Sequence, residues 1–125
     1  MPLFEIKSLS QTTVLEDAAA DYRAARRAEQ YRLSDRAIYL QAFPGTRYGP
    51  FAAVDRAISR NTSMPLTGCC GKALPMVRLR LFYDGEFYQD FLLEKLSSAD
   101  RVLDALEAVR PEARIERETG HNSPI

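Results

Sequence analysis

Apolar and polar positions alternate most regularly in the last third of the chain, from residue 77 to residue 93. The first run reads Val77, Arg78, Leu79, Arg80, Leu81, and a second run with the same period follows the Asp84-Gly85 pair. A period of two is typical of strands with one buried face, and Asp-Gly is a common hairpin turn. The pattern therefore predicts a β-hairpin whose odd-numbered residues are buried.

The length of the turn sets which residues of the hairpin face each other. A two-residue turn would place Leu79 opposite Asp90 and so mix the buried and exposed sets. A three-residue turn over residues 83–85, with Gly85 left-handed in a bulge, keeps the sets apart. We therefore predict the bulged turn. Its expected pairs are Leu81 with Phe87, Val77 with Phe91, and Arg78 with Asp90.

After the hairpin the apolar positions change to helical spacing. They are Ala99, Val102, Leu103, Leu106 and Val109, which fall on one face of a helix. Ser97 or Ser98 is the expected first residue, and Asp100 supports a cap at Ser97. Pro111 is expected to end the helix because it pushes the preceding residue out of helical geometry.

The N-terminal half predicts one helix and one clear strand. Thr13 and Glu16 have the spacing of a capping box, and the alanine-rich segment after them predicts a helix to about residue 30. Its thin apolar stripe is expected to pack on a surface; the stripe is Leu15, Ala18, Tyr22 and Ala25. Apolar residues on both sides of the segment 36–43 predict a strand that is covered on both faces.

The other segments are less regular. Residues 3–6 predict a short first strand, and Pro44-Gly45 predicts a turn. Residues 51–59 fit a strand or a short helical turn, and residues 61–74 fit a loop or a loop with a short strand. Strands followed by a terminal helix, without alternation of strand and helix, indicate an α+β fold.

Length and composition narrow the class of protein. The 125 residues are enough for one domain, which we place at residues 1–116, and the polar residues 117–125 predict a disordered tail. No apolar run reaches the roughly 20 residues that span a bilayer, and the N-terminus lacks a signal-peptide pattern. We expect a cytoplasmic protein. The formal net charge is zero, which argues against a nucleic-acid partner.

Three stretches resemble bacterial pleckstrin-homology-like (PH-like) or GRAM-like domains. YRLSDRAIYL is similar to a strand–turn–strand of that family, and RYGPFAAVDRAI is similar to its Pro-Tyr-x-x-Ile strand. The stretch VRLRLFYDGEFYQDFLLEKLSSADRVLDAL resembles its closing hairpin and capping helix. The resemblance covers about residues 31–110. It implies a bent antiparallel sheet or partial barrel with an N-terminal helix and an amphipathic C-terminal capping helix.

Gly68-Cys69-Cys70-Gly71-Lys72 is the most conspicuous local motif. A disulfide between adjacent cysteines is strained, because Cα atoms about 3.8 Å apart lie below the usual range of about 4.4–6.8 Å. A metal site lacks ligands, since the only histidine is His121 in the expected tail. Backbone amides with Lys72 could bind an anion. The simplest interpretation is a tight turn, and the motif predicts neither a metal nor another cofactor.

Arginines are the best candidates for binding. Arg78 and Arg80 alternate along one strand, and guanidinium groups match phosphate and carboxylate geometry. Further arginines lie at positions 23, 26, 27, 32, 36 and 47. Structural salt bridges are the competing interpretation of all of them. PH-like domains often hold anionic head groups with basic strand residues, which the resemblance extends to Arg78 and Arg80.

Three functional hypotheses follow. The first is a non-catalytic binding module that contacts another protein or a second copy of itself, with Tyr39, Phe82 and Tyr88 as the least buried aromatic residues. The second is a redox sensor or enzyme that acts through Cys69 or Cys70. The third is a binder of anionic lipid or phosphate.

Thiol titration separates the second hypothesis from the other two. We expect Cys69 and Cys70 to react slowly with a disulfide reagent, as ordinary turn cysteines do. A fast reaction that persists below the usual thiol pKa of about 8.5 would instead indicate an activated thiolate and a redox role.

Overall fold

The computed structural model describes residues 6–42, 45–65 and 73–118. In these ranges the strands are β1 (Ile6–Ser8), β2 (Arg26–Ala28), β3 (Tyr31–Leu33), β4 (Ala37–Ala42), β5 (Gly45–Pro50), β6 (Val54–Pro65), β7 (Ala73–Tyr83), β8 (Phe87–Leu93) and β9 (Arg114–Glu116). The helices are α1 (Ala18–Ala24) and α2 (Leu96–Val109), and a 3-10 turn covers Phe51–Ala53. The α+β prediction is confirmed.

The described strands form two sheets. The first sheet has the order β1-β5-β4-β3-β2, and the second sheet has the order β8-β7-β6-β9. Both sheets are mixed, because β1 lies parallel to β5 and β9 lies parallel to β6. The prediction of one antiparallel sheet is therefore wrong. Between the described strands no ladder joins the two sheets into a closed barrel.

Helix α2 packs with the inner faces of both sheets around one apolar core. Its buried residues Val102, Leu103 and Leu106 join Leu79 of β7 and Ile38 of β4 in this cluster. Burial of the three α2 side chains contributes roughly 5–8 kcal/mol before conformational entropy is subtracted. The predicted apolar stripe is thereby confirmed except at its last position. Val109, in the final turn, is 39% exposed.

The hairpin of β7 and β8 has the predicted buried face but a different register. Val77 faces Leu93 and Arg80 faces Asp90, so the predicted pairs are wrong by two residues. The turn comprises residues 84–86, and it lets Tyr83 stack on Phe87 with ring centroids 6.0 Å apart. A shift of two residues leaves every side chain on its predicted face, because side chains alternate with a period of two.

Helix α1 is shorter than predicted. It ends at Ala24, and Arg26–Ala28 instead form β2 against β3. Its N-cap is Asp17 without a side-chain hydrogen bond, so the predicted capping box is wrong. The predicted stripe is correct, however. Its residues pack on a second cluster around Tyr39 and Tyr48; they are Leu15, Ala18, Tyr22 and Ala25.

The less regular segments resolve as follows. The strand predicted at 36–43 is β4, and residues 51–59 contain both alternatives, a 3-10 turn and then a strand. Residues 61–65 belong to β6 and residues 73–74 to β7, so of the two alternatives for 61–74 a loop throughout is wrong; residues 66–72 lie outside the described residues. The first strand begins at Ile6, and residues 3–5 of the predicted strand lie outside the described residues. Pro44 of the predicted turn and residues 119–125 of the predicted tail also lie outside them.

A carboxylate from a distant turn caps helix α2. The predicted cap at Ser97 or Ser98 is wrong, because the helix begins at Leu96 and its N-cap, Lys95, makes no side-chain cap bond. Instead Glu29 accepts the backbone N–H of Glu94 at 2.6 Å and that of Lys95 at 3.2 Å. Negative charge is favourable at this end of a helix. Glu29 holds this position at a left-handed φ of 59°.

Two substitutions at Glu29 separate its carboxylate from its backbone strain. Glu29→Ala is expected to lower the free energy of unfolding by about 1–2 kcal/mol through the lost charged hydrogen bonds. Glu29→Gly loses the same bonds but relieves the left-handed conformation, which costs other residues about 1 kcal/mol. Denaturant unfolding should therefore rank the wild type first, glycine second and alanine last.

The exposed acid Glu107 of α2 provides the control, since its replacement by alanine should leave stability nearly unchanged. An alanine variant at Glu29 as stable as the wild type would show that the carboxylate does not support the helix.

Asp84, in the hairpin turn, fastens the segment that follows β1. Its carboxylate accepts hydrogen bonds from the Ser10 hydroxyl at 2.6 Å, the Gln11 backbone N–H at 2.7 Å and the Thr12 hydroxyl at 2.9 Å. The bond from Ser10 is the main cause that lowers the pKa of Asp84 below its usual value. The ionised carboxylate thus ties the N-terminal segment to the turn of the β7–β8 hairpin.

Replacing Asp84 by asparagine should make stability less dependent on pH. A lowered pKa in the folded protein gives stability that is present above the unfolded value of about 3.9 and is lost as pH falls through the folded value. The variant should therefore be less stable than the wild type at neutral pH, and the difference should shrink in acid. Denaturant unfolding from acid to neutral pH measures the stability difference and its dependence on pH, with Glu86→Gln in the same turn as the control. An equal pH dependence in the two variants would refute the role of Asp84.

Candidate functional site

The outer face of the second sheet is the side that turns away from the core. Beyond the register shift between Val54 and Arg56, odd-numbered residues of β6 and their neighbours in β7 and β8 point inward, so the even-numbered residues point outward. The outer face carries Arg56, Ile58 and Arg60 from β6, Arg78, Arg80 and Phe82 from β7, Tyr88 and Asp90 from β8, and Arg114 and Glu116 from β9. The register therefore places five arginines on one face.

Two carboxylates neutralise part of this charge. Asp90 accepts two hydrogen bonds from Arg80, at 2.6 Å from Nε and 3.0 Å from Nη2, and this pairing raises the pKa of Arg80. Glu116 accepts hydrogen bonds from Arg56 at 2.8 Å and from Arg60 at 3.3 Å. The bond from Arg56 is the largest cause that lowers the pKa of Glu116.

Arg78 and Arg114 are the two arginines of this face that lie outside these ion pairs. Arg78 lies directly opposite Arg60 in the β6–β7 ladder, and its side chain is exposed. Among the described residues it pairs with no carboxylate. Like charges directly opposite each other on neighbouring strands are destabilising. The sheet therefore keeps an unfavourable pair at the centre of its outer face.

Aromatic rings border the arginines. The rings of Phe82 and Tyr88 lie 5.9 Å apart, with Arg56 over Phe82 at 5.4 Å and Arg80 over Tyr88 at 4.2 Å. These contacts place the two guanidinium groups near the rings, where cation–π attraction is favourable. Tyr88 remains 52% exposed. A shallow cavity of about 270 Å³ is lined by Arg56, Ile58, Arg60, Arg78, Arg80 and Glu116.

Four of the residues predicted from the sequence come together on this face: Arg78, Arg80, Phe82 and Tyr88. Tyr39 does not belong to it. The expectation that Tyr39 is exposed is wrong, because it is 1% exposed beneath α1 and donates a hydrogen bond to Asp21 at 2.6 Å. Burial is the main cause that raises the pKa of its hydroxyl. Cys69, Cys70 and Lys72 lie outside the described residues.

The sequence analysis missed half of the outer face. Arg56, Ile58 and Arg60 alternate with inward residues of β6. This period of two begins within residues 51–59, which the sequence analysis interpreted as a strand or a short helical turn. Glu116 carried no signal, since it reaches the face only because β9 returns beside β6 after α2.

The described part of the chain limits other kinds of site. It contains no cluster of three or more histidine, cysteine or acidic side chains that could hold a metal ion. In the same ranges no helix is long and apolar enough to cross a membrane. Comparisons of the whole chain with models of known protein families, with curated proteins and with solved structures found no match.

Proposed function

We propose that this protein is a non-catalytic binding module whose outer face binds an acidic segment of a partner protein. The observation that carries the proposal is the opposed pair of Arg60 and Arg78, in which Arg78 has no carboxylate among the described residues. A carboxylate supplied by a partner would lie between the two guanidinium groups and turn a repulsive pair into an attractive one. Binding of a partner would therefore relieve the repulsion between the two arginines.

The kinds of residue on the face support a protein partner. Arginine and the aromatic residues are enriched at the centre of protein interfaces, where they carry much of the binding free energy. Here Arg56, Arg80, Phe82 and Tyr88 are already ordered by ring and ion-pair contacts. Ordered side chains lose less entropy on binding. The face is therefore arranged in advance for a partner that has both acidic and apolar side chains.

A protein segment is favoured over a membrane surface because the face already contains two acids. Asp90 and Glu116 offset part of the charge of the five arginines and would repel the uniform negative charge of anionic lipid. A protein segment whose acidic residues are spaced apart can place one of them against Arg78 and keep the others away from Glu116. Binding of anionic vesicles is accordingly an outcome against the proposal.

We also propose that the fold is of the PH-like type. Two features support it: β2 to β5 and β6 to β8 are each joined as consecutive antiparallel strands, and helix α2 follows the second set. The parallel edge strands β1 and β9 are departures from the bent antiparallel sheet that the resemblance implies.

Fluorescence anisotropy with a labelled random copolymer of glutamate and tyrosine tests the binding proposal. The wild type should bind it more tightly than polyglutamate, and added salt should weaken both interactions. Arg78→Glu should abolish binding of the copolymer, since it reverses the charge at the centre of the face. Arg23→Glu on α1 makes the same charge change away from this face and should bind as the wild type does.

Arg78→Gln gives a second, independent readout. Its free energy of unfolding should equal or exceed that of the wild type by up to about 1 kcal/mol, because the substitution removes the repulsion with Arg60. Weaker copolymer binding by a variant that is at least as stable identifies a binding role. Equal loss in the Arg78 and Arg23 variants, or binding of phosphatidylserine vesicles without binding of the copolymer, would refute the proposal.

A further inference from the structure

A second concave site lies on the first sheet, on the face that carries α1. A pocket of about 320 Å³ opens beside Tyr22 of α1 and is bounded by Arg27 of β2, Arg32 of β3, Gln41 of β4 and Thr46 of β5. Gln30, in the turn between β2 and β3, also lines it. Its volume is at the lower end of the range of about 300–1,000 Å³ for small-molecule sites. It is separate from the outer face of the second sheet.

Two arginines lie next to each other at this pocket, and no described acidic side chain lines it. Arg27 and Arg32 are directly opposed in the β2–β3 ladder, and none of the described residues that line the pocket is acidic. Both guanidinium groups are charged at neutral pH. Like charges at such a position are destabilising unless an anion lies between them.

Two acids nearby in the sequence bind other groups. Asp21 accepts hydrogen bonds from the hydroxyls of Ser34 and Tyr39, at 2.5 Å and 2.6 Å. Glu29 accepts the backbone N–H groups that precede α2. Among the described residues neither carboxylate forms an ion pair with Arg27 or Arg32, so a bound anion would gain from the charge of both arginines.

The orientation of the two arginines is fixed by their neighbours. Nε of Arg27 donates a hydrogen bond to the backbone oxygen of Glu29 at 2.9 Å, which leaves its terminal amino groups for another acceptor. The guanidinium of Arg32 lies 4.9 Å from the centroid of the Tyr22 ring. Groups held in this way lose little freedom when they bind an anion.

We propose that this pocket binds a small soluble phosphate monoester. A phosphate monoester is close to a dianion at neutral pH and so balances two arginines, whereas a single carboxylate balances one. Gln41 and the hydroxyl of Thr46, which is 8% exposed, offer neutral hydrogen-bonding groups to the rest of the molecule. Tyr22 offers it an aromatic surface.

Isothermal titration calorimetry with phenyl phosphate tests the site, with inorganic phosphate and benzoate as reference ligands. Phenyl phosphate should bind more tightly than inorganic phosphate, and benzoate should bind at least about tenfold more weakly than phenyl phosphate. Arg27→Gln should weaken phenyl phosphate binding by about tenfold or more. Arg101→Gln makes the same charge change on the exposed face of α2 and should bind as the wild type does.

Gln41→Ala is the second variant, and it keeps both arginines. It should weaken phenyl phosphate by about threefold or more through the loss of neutral hydrogen bonds, with an unchanged melting curve. Absence of phenyl phosphate binding in the wild type, equal affinity for benzoate, or unchanged affinity in both pocket variants would overturn the site. Binding of phosphatidic acid vesicles that Arg27→Gln abolishes, without binding of phenyl phosphate, would overturn the soluble ligand.

Discussion

Strict alternation of side chains over one shared apolar core is the constraint on which the rest of the molecule depends. Val77, Leu79 and Leu81 are fully buried against α2, so their neighbours in β7 have only the outer face available. A slip of one residue would drive charged guanidinium groups into the core, where each unpaired charge costs several kcal/mol. The convergence of arginines on the outer face thus follows from the same packing that stabilises the fold.

The local pattern of apolar and polar residues predicted much of this arrangement. The apolar periods of the hairpin and of α2 predicted which residues are buried, and they predicted that Arg78, Arg80, Phe82 and Tyr88 share the opposite face. The exact register was not predictable in this way, because a shift of two residues preserves every face. Contacts between aromatic side chains near the turn, such as Tyr83 with Phe87, accompany the observed register.

The features that the sequence did not reveal all depend on residues far apart in the chain. Nothing local indicates that Glu29 caps a helix that begins at Leu96, or that β9 brings Glu116 to the arginines of β6. The apolar residues on both sides of β4 predicted cover on both faces, yet Tyr39 was expected among the least buried aromatic residues because the strand alone does not identify α1 as its cover. Periodicity identifies which side of an element is apolar, but it does not identify what lies against that side.

The hydrogen bonds of Asp84 with Ser10, Gln11 and Thr12 have a consequence for biosynthesis. The partners are separated by more than seventy residues, since the bond from Ser10 spans 74 positions. A ribosome releases the amino-terminal segment first, and domains generally complete their folding as units. The nascent chain therefore emerges with this fastening open, and the segment after β1 becomes secured only when the tip of the late hairpin has left the exit tunnel.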